Sequence, residues 1–322
     1  MNDIKKTQHF TENYEEILKG INFYPQEAVD PFAGKCDLIK YSPNTKWELY
    51  DIDVKDSRVT YRDSLLNPID YTGKTIITNP PYLARNKTDQ FRDIFDKYQT
   101  DDLYKAAILS IIGCENGILI IPVNFFTDEA TREVREKFLS QYKVDYVNVF
   151  NYQVFENTSY NVCSFYFEKG KTETVRFKTW FENGVSRENV FKLDPDFGYR
   201  LGGEFFELFK DIKPIFSRAI GDENPNTRIF VNCLDKKDKN FGLEYRPDFV
   251  YKGQKNDRIF ATLKCEKNLT EDEQINLVSN FNYFIDGYRY IFRDLLFTNY
   301  RDRGRKRISL EDVYKICTYL IS

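Results

Sequence analysis

Histidine is nearly missing from this chain: His9 is the only one in 322 residues, and it lies in a polar N-terminal segment. Hydrolytic schemes built on a Ser/His or Cys/His pair are left with one candidate base, which nearly excludes them. Cys-x-x-Cys pairs are missing too. Cys36, Cys114, Cys163, Cys233, Cys265 and Cys317 are scattered, which argues against a zinc site and a secreted disulfide framework and predicts reduced, mostly buried thiols. No apolar run approaches the ~20 residues of a membrane span, and Met1 to Gln8 is polar without a signal-peptide core. A soluble cytoplasmic protein without membrane contact is expected. Positive charge is not in excess either. With a net charge of −3 and a pI of about 5.6, the molecule as a whole is no generic polyanion binder, so any nucleic-acid surface is a local patch.

What is present suffices for one large or two moderate domains, since 41% of the residues are hydrophobic. Aromatics reach 16%, with 28 Phe and 23 Tyr. Phe, Tyr, Asn, Lys and Ile are abundant together, as an A/T-biased genome would produce, so this abundance carries little functional weight. From Glu27 to about Phe167, β-rich runs alternate with amphipathic stretches, the pattern of an α/β domain with a mainly parallel sheet. Ala28 to Pro31, Trp47 to Ile52, Val59 to Arg62, Thr75 to Thr78 and Ile118 to Val123 are the candidate strands. Phe91, Ile94, Phe95 and Tyr98 recur at helical spacing, as do Leu103, Ala107, Ile108 and Ile111. Thr127 or Asp128 reads as the N-cap of a helix running to about Tyr142. Val144 to Phe150 and Asn161 to Phe167 read as a closing hairpin at one edge of the sheet. The alternation stops near Glu168 to Lys171, which sets the expected boundary: domain 1–170, then a mixed α+β region, 171–322. In that second region Thr270 with Glu273 forms a capping-box pattern, and Ser309 precedes a last helix.

The strand Thr75 to Thr78 runs into Asn79-Pro80-Pro81-Tyr82, a tetrapeptide suited to gripping a planar amino group. An exocyclic adenine amine is a poor nucleophile while its lone pair is delocalised into the ring. The Asn79 side-chain oxygen and the Pro80 carbonyl can each accept one of its hydrogens, which draws the nitrogen toward sp³ geometry. Proline fixes φ, aims its carbonyl and brings no competing N–H. Tyr82 supplies a ring on which a planar base can stack. Three earlier strands also end in polar or glycine chemistry: Asp30-Pro31-Phe32-Ala33-Gly34, Tyr50-Asp51-Ile52-Asp53 and Arg62-Asp63-Ser64. In an open α/β sheet that carboxyl edge is where ligands bind.

In these residues the chain resembles the class I S-adenosylmethionine-dependent N6-adenine DNA methyltransferases of restriction-modification type, over roughly Gln8 to Lys169 and in the γ order of motifs. Gln8-His9-Phe10-Thr11 resembles the motif that touches the methionine part of the cofactor, with Glu12 where a proline is usual. Asp30 to Gly34 resembles the glycine motif, with Cys36 in place of its second glycine. The resemblance implies a class I methyltransferase (Rossmann-like) sheet with helices on both faces. It also implies a cofactor site of Phe10, Thr11, Asp30, Phe32, Gly34, Asp51, Ile52 and Asp63. In it Asp51 holds the ribose hydroxyls, Ile52 packs on the cofactor adenine and Asp63 takes that adenine's amine. Asn79, Pro80, Pro81 and Tyr82 match the catalytic motif without change, and Phe155, in the late motif, would pack on the far side of the target base. For Phe155 a plain core or rim position is the alternative.

The implied reaction is methyl transfer to N6 of an adenine flipped out of duplex DNA, releasing S-adenosylhomocysteine, with no metal. Residues 171–322 would read the DNA. Arg301, Arg303, Arg305, Lys306 and Arg307, five positive charges against the single acid Asp302, would meet phosphates, although a solvated loop is the ordinary reading of such a run. A monomer is expected, with room for a cognate restriction endonuclease as partner. Methylation of RNA or of a protein glutamine, and a catalytically silent nucleic-acid-binding module, are the competing functions.

Overall fold

The computed structural model describes residues 11–155, 160–221, 223–236, 238–248, 251, 253, 259–293, 295–298 and 305–322. These fall into two compact units that divide between Leu201 and Gly202.

The first unit is built on one sheet. Its strands are β1 (Glu27–Asp30), β2 (Lys46–Asp51), β3 (Thr60–Tyr61), β4 (Thr75–Thr78), β5 (Asn116–Pro122), β6 (Tyr142–Lys143), β7 (Tyr146–Phe150), β8 (Val162–Lys169), β9 (Thr174–Trp180) and β10 (Ser186–Lys192). They lie in the order β10-β9-β7-β8-β5-β4-β1-β2-β3, with β6 beside β8. β3, β2, β1, β4 and β5 run parallel, and each lies within two residues of the strand expected from sequence. β4, Thr-Ile-Ile-Thr, is buried over its last three residues, as a central parallel strand of β-branched residues should be. Gly117 lets β5 lie beside it: a Cβ there would meet the Ile76 carbonyl oxygen at 1.8 Å.

Among the described residues this unit has the α-helices α1 (Tyr14–Ile17), α2 (Arg92–Tyr98), α3 (Leu103–Ser110), α4 (Asn124–Thr127) and α5 (Arg132–Leu139). Asp102 caps α3 by accepting from the Tyr104 N–H, and Asp128 accepts from the Ala130 N–H in the turn ahead of α5. Ile94, Phe95, Leu103, Ala106 and Ala107 from α2, α3 and their flanks bury one apolar cluster with Leu65 and Leu83. Leu83, the residue after the Asn79 to Tyr82 turn, is thereby held in the core.

The expected hairpin exists, with Val147 opposite Phe165 in an antiparallel register, but it does not close the sheet. β8 lies between β5 and β7, β9 runs parallel to β7, and β10 forms the edge. In β9, Val175, Phe177 and Thr179 are buried while Thr174 and Arg176 are exposed. This is the period-two pattern of a half-buried strand, diluted in sequence by its charged outer face. The first unit therefore reaches Leu201 rather than ending at residue 170.

The second unit carries an antiparallel sheet, β11-β14-β12-β13, formed by β11 (Phe216–Arg218), β12 (Ile229–Asn232), β13 (Gly242–Tyr245) and β14 (Phe260–Cys265). Its helices are α6 (Gly203–Glu207), α7 (Glu271–Ile291) and α8 (Leu310–Leu320). The capping box of Thr270 and Glu273 opens α7, and the Ser309 side chain caps α8. Leu277, Phe281 and Ile285 give α7 a buried stripe at helical spacing. All six cysteines are buried. No described helix is long and apolar enough to cross a membrane, and among the described residues no cluster of His, Cys, Asp and Glu could hold a metal ion.

Candidate active site

The carboxyl ends of β1, β2 and β4 converge. Asp30 ends β1, and its Oδ1 accepts from the Phe32 N–H at 3.1 Å and from the Thr78 hydroxyl at 2.7 Å. It thus stitches β1 to the end of β4. Burial pushes its carboxyl up to about 7, against the pull of those two hydrogen bonds. The chain then turns through Gly34 at φ +51°, and the Gly34 N–H donates to Asp51 Oδ2 at 2.8 Å. Asp51 Oδ1 accepts from the Asp53 N–H at 2.7 Å. The Asp51 carboxylate is locked at the end of β2, and burial raises its pKa. Two bonds leave spare acceptor capacity on both oxygens.

The two departures from the motif have physical readings. Cys36 takes φ +64°, the left-handed conformation a glycine adopts without cost. Its thiol packs with Ala33, Leu49 and Val59, so the turn is kept while the side chain joins the core. Glu12 pairs with Lys35 of the glycine turn at 2.8 Å, linking the N-terminal segment to that loop. Asp63 Oδ1 accepts from the Leu65 and Leu66 N–H groups at 3.1 and 2.9 Å, an Asx-type turn that fixes its carboxylate after β3. Ile52 is half-buried beside Asp51.

β4 delivers Asn79 next to this loop. Thr11, Asp30, Phe32, Gly34 and Asn79 line one recess, joined by Ala33, Lys35, Asp37 and Leu38. Asn79 Nδ2 donates to Thr11 Oγ1 at 3.0 Å. The Tyr82 hydroxyl lies 2.5 Å from Asn79 Oδ1 and 2.6 Å from the Ile120 carbonyl oxygen of β5, so one phenol proton serves two acceptors. Pro80 is buried and Pro81 half-buried. After the turn, the Leu83 N–H donates to Asp102 Oδ1 at 3.1 Å, and the Leu103 N–H donates to the Leu83 carbonyl at 3.1 Å. Burial pushes the Asp102 carboxyl up to about 6. Tyr104 meets the Tyr82 ring edge-on, with centroids 6.3 Å apart, and donates to Asn124 Oδ1 at 3.1 Å.

Tyr82 does not present the open ring face expected from the sequence. It is 1% exposed, because its hydroxyl is drawn inward by Asn79 and Ile120. Phe155 is buried as well. Phe10 lies outside the described residues, as do Arg301 and Arg303. Arg305 is exposed and donates to the Asp235 carbonyl at 3.1 and 2.9 Å, and Arg307 is exposed. Lys306 departs from the expected phosphate contact: it is buried, and its ammonium donates to Thr298 Oγ1 at 3.1 Å. Its neighbours in the run alternate outward, as in an extended segment. Thr78, Asp102, Tyr104 and Asn124 support the site without having been singled out by sequence. Of these only Asp102 carried a signal, as an Asp just before an apolar helical stretch.

Among solved structures, the chain is similar to the modification subunit of a type I restriction enzyme from Vibrio vulnificus, with a TM-score of 0.44 and 10% identity over 64% of this chain and 53% of that one. The M protein of the type I restriction enzyme EcoKI gives 0.44 and 13%, over 64% and 53%. The type IIG restriction endonuclease BpuSI gives 0.41 and 15%, over 56% and 30%. The chain thus spans about half the length of the two modification proteins or less than half of the endonuclease. No curated protein matches its sequence. The Eco57I restriction-modification methylase model matches residues 7–155, a stretch that holds the glycine turn, the acidic strand ends and Asn79 to Tyr82.

Proposed function

We propose that this chain is a DNA methyltransferase of a restriction-modification system, transferring a methyl group from S-adenosylmethionine to N6 of an adenine flipped out of duplex DNA. The observation that carries the reading is the junction of Asn79 with the glycine turn: the amide built to grip an amine shares a recess with the residues suited to a nucleoside cofactor. The residues fit that cofactor. Asp51 is anchored by two backbone N–H groups and keeps lone pairs for ribose hydroxyls. Gly34 allows close approach, Ile52 and Asp63, which follow β2 and β3, would take the cofactor adenine, and Thr11 and Asp30, which line the recess with Asn79, would take the methionine part. S-adenosylmethionine supplies the methyl as an electrophile on a sulfonium centre.

The chain's own contribution is positioning and polarisation. Asn79 Oδ1 and the Pro80 carbonyl accept the two hydrogens of the target amine, so that its lone pair localises on nitrogen. Tyr82 leaves its inward seat to stack on the base, with Phe155 as the opposite wall, which offsets part of the cost of unstacking the adenine. The unit after Leu201 reads the DNA, with Arg301, Arg303, Arg305 and Arg307 on phosphates. A cognate endonuclease is the expected partner of such a system. Genomic DNA from a methylation-free host, incubated with the protein and S-adenosylmethionine, should gain N6-methyladenine at one sequence when mapped by single-molecule sequencing. Methyl label appearing only in RNA or protein would overturn the reading.

Asp30 makes cofactor affinity depend on pH. With its carboxyl near 7 in the free protein, a cationic ligand binds better once Asp30 is ionised. Affinity should therefore rise about tenfold from pH 6 to pH 8, and binding near pH 7 should release a proton. For stability the sign is opposite. The raised pKa favours the fold fully below the unfolded value near 4, and that contribution is lost as the pH rises toward 7. Calorimetry of S-adenosylmethionine binding in buffers of different ionisation enthalpy checks the first claim; a flat profile for Asp30→Asn is the expected control.

A further inference from the structure

The N-terminal segment that carries Thr11 is fixed to the sheet by buried polar contacts. Asn148 of β7 is fully buried. Its Nδ2 donates to the Lys19 carbonyl at 2.8 Å, and its Oδ1 accepts from the Tyr146 hydroxyl and the Trp180 indole N–H, both at 2.8 Å. Ser164 of β8, also buried, donates to the Ile17 carbonyl. Asn13 Nδ2 donates to the Val154 carbonyl at 3.1 Å. Buried amides and hydroxyls are costly unless paired, so these bonds hold the segment in one place.

The point of that placement is at its start. Thr11 is buried, and its hydroxyl oxygen accepts from Asn79 Nδ2 at 3.0 Å. An amide turned over by half a rotation would offer N–H groups to an incoming amine, and donor against donor cannot polarise it. The Tyr82 hydroxyl, 2.5 Å from Asn79 Oδ1, stands where such an amine would donate. When Tyr82 turns out to stack on a base, its hydroxyl is exchanged for the substrate's N–H, while the bond at the other end of the amide stays in place. We propose that Thr11 is a positioning residue of the transfer reaction, holding Asn79 so that its oxygen faces the target amine, beyond any contact it makes with the cofactor.

The proposal rests on the reading of Asn79 as the polarising residue, and its test has two arms. In the first, single-turnover methylation is measured at saturating S-adenosylmethionine and DNA. Thr11→Val, which keeps the shape but loses the acceptor, should be slower by roughly 10–100-fold. Its affinity for S-adenosylhomocysteine should change less than about threefold, and Thr11→Ser should recover the rate to within about threefold. A Thr11→Val enzyme with a normal rate at saturating cofactor and weakened cofactor binding would overturn the proposal. The second arm needs no catalysis. In protein labelled with ¹⁵N-asparagine, the Asn79 side-chain amide is assigned by its loss in Asn79→Ala. Its proton facing Thr11 should exchange slowly in the wild type and in Thr11→Ser, and fast in Thr11→Val. Unchanged exchange in Thr11→Val would also overturn it. If the wild type methylates no DNA, the functional reading fails, and the exchange arm still decides whether Thr11 holds the amide.

Discussion

Asn79→Ala should lower methyl transfer at saturating cofactor and DNA by at least about 10³-fold, the scale seen when a group aimed at charge developing in a transition state is removed. The variant should fold. Alanine leaves the Tyr82 hydroxyl its second acceptor, the Ile120 carbonyl at 2.6 Å, so no phenol is stranded in the core. The backbone of the turn is held independently by the Leu83 and Leu103 bonds to residues 102 and 83, and by Leu83 in the α2–α3 cluster. Affinities for S-adenosylhomocysteine and for DNA should therefore stay within about threefold, because Asn79 acts on the amine and not on the cofactor's ribose or the phosphates. Asn79→Asp keeps an acceptor but puts a carboxylate oxygen against Thr11 in place of a donor. It should retain partial activity that rises where the aspartate is protonated. Near-normal turnover in the alanine variant would sink the polarisation argument.

The parts of this site that the sequence made legible are those where chemistry and period coincide. β1, β2, β3 and β4 each end in a residue that would be out of place inside a strand: Asp30, Asp51, Asp63 two residues after Tyr61, and Asn79. Parallel order brings those ends to one edge of the sheet, a placement that the strand pattern alone implies. What stayed hidden depends on side-chain direction. Nothing in Asn79 to Tyr82 says that the phenol points inward to Ile120, a residue 38 positions away. The same holds for Asn148, an asparagine in a strand whose partners Lys19, Ser164 and Trp180 come from three distant segments. β10 was missed for another reason. Glu188 and Arg187 on an edge strand are exposed, and charge there protects the sheet edge while erasing the hydrophobic signal.

Arg135 is the clearest case of a residue whose weight only the structure reveals, and Arg135→Ala should cost about 3–5 kcal/mol of stability in the first unit. It sits in α5, a helix whose sequence looks amphipathic and charged, yet its side chain is 0% exposed. Its Nε donates to the Gly198 carbonyl at 2.6 Å. One terminal nitrogen reaches the Phe125 and Asp128 carbonyls at 2.9 and 2.8 Å. Burial pulls its pKa down to about 10, still high enough for the guanidinium to remain charged at neutral pH. Alanine would remove all three bonds, leaving the Asp128 carbonyl only the Thr131 N–H at 3.3 Å, and would open a cavity the size of the guanidinium. For a unit of this size, differential scanning calorimetry should show the transition fall by roughly 6–20 °C. Arg135→Lys should recover only part of this, because one ammonium on a flexible stem cannot span the fork from Gly198 to Phe125 and Asp128. The loss should reach the site in a graded way. Phe125 belongs to α4, and α4 carries Asn124, which accepts from the Tyr104 hydroxyl behind the Tyr82 ring. Below its transition the alanine variant should therefore keep its affinity for S-adenosylhomocysteine, since Asp30, Gly34 and Asp51 are anchored through other strands, while its methyl transfer slows. Equal loss of both would mean that Arg135 holds the whole sheet together and not the floor beneath Tyr82.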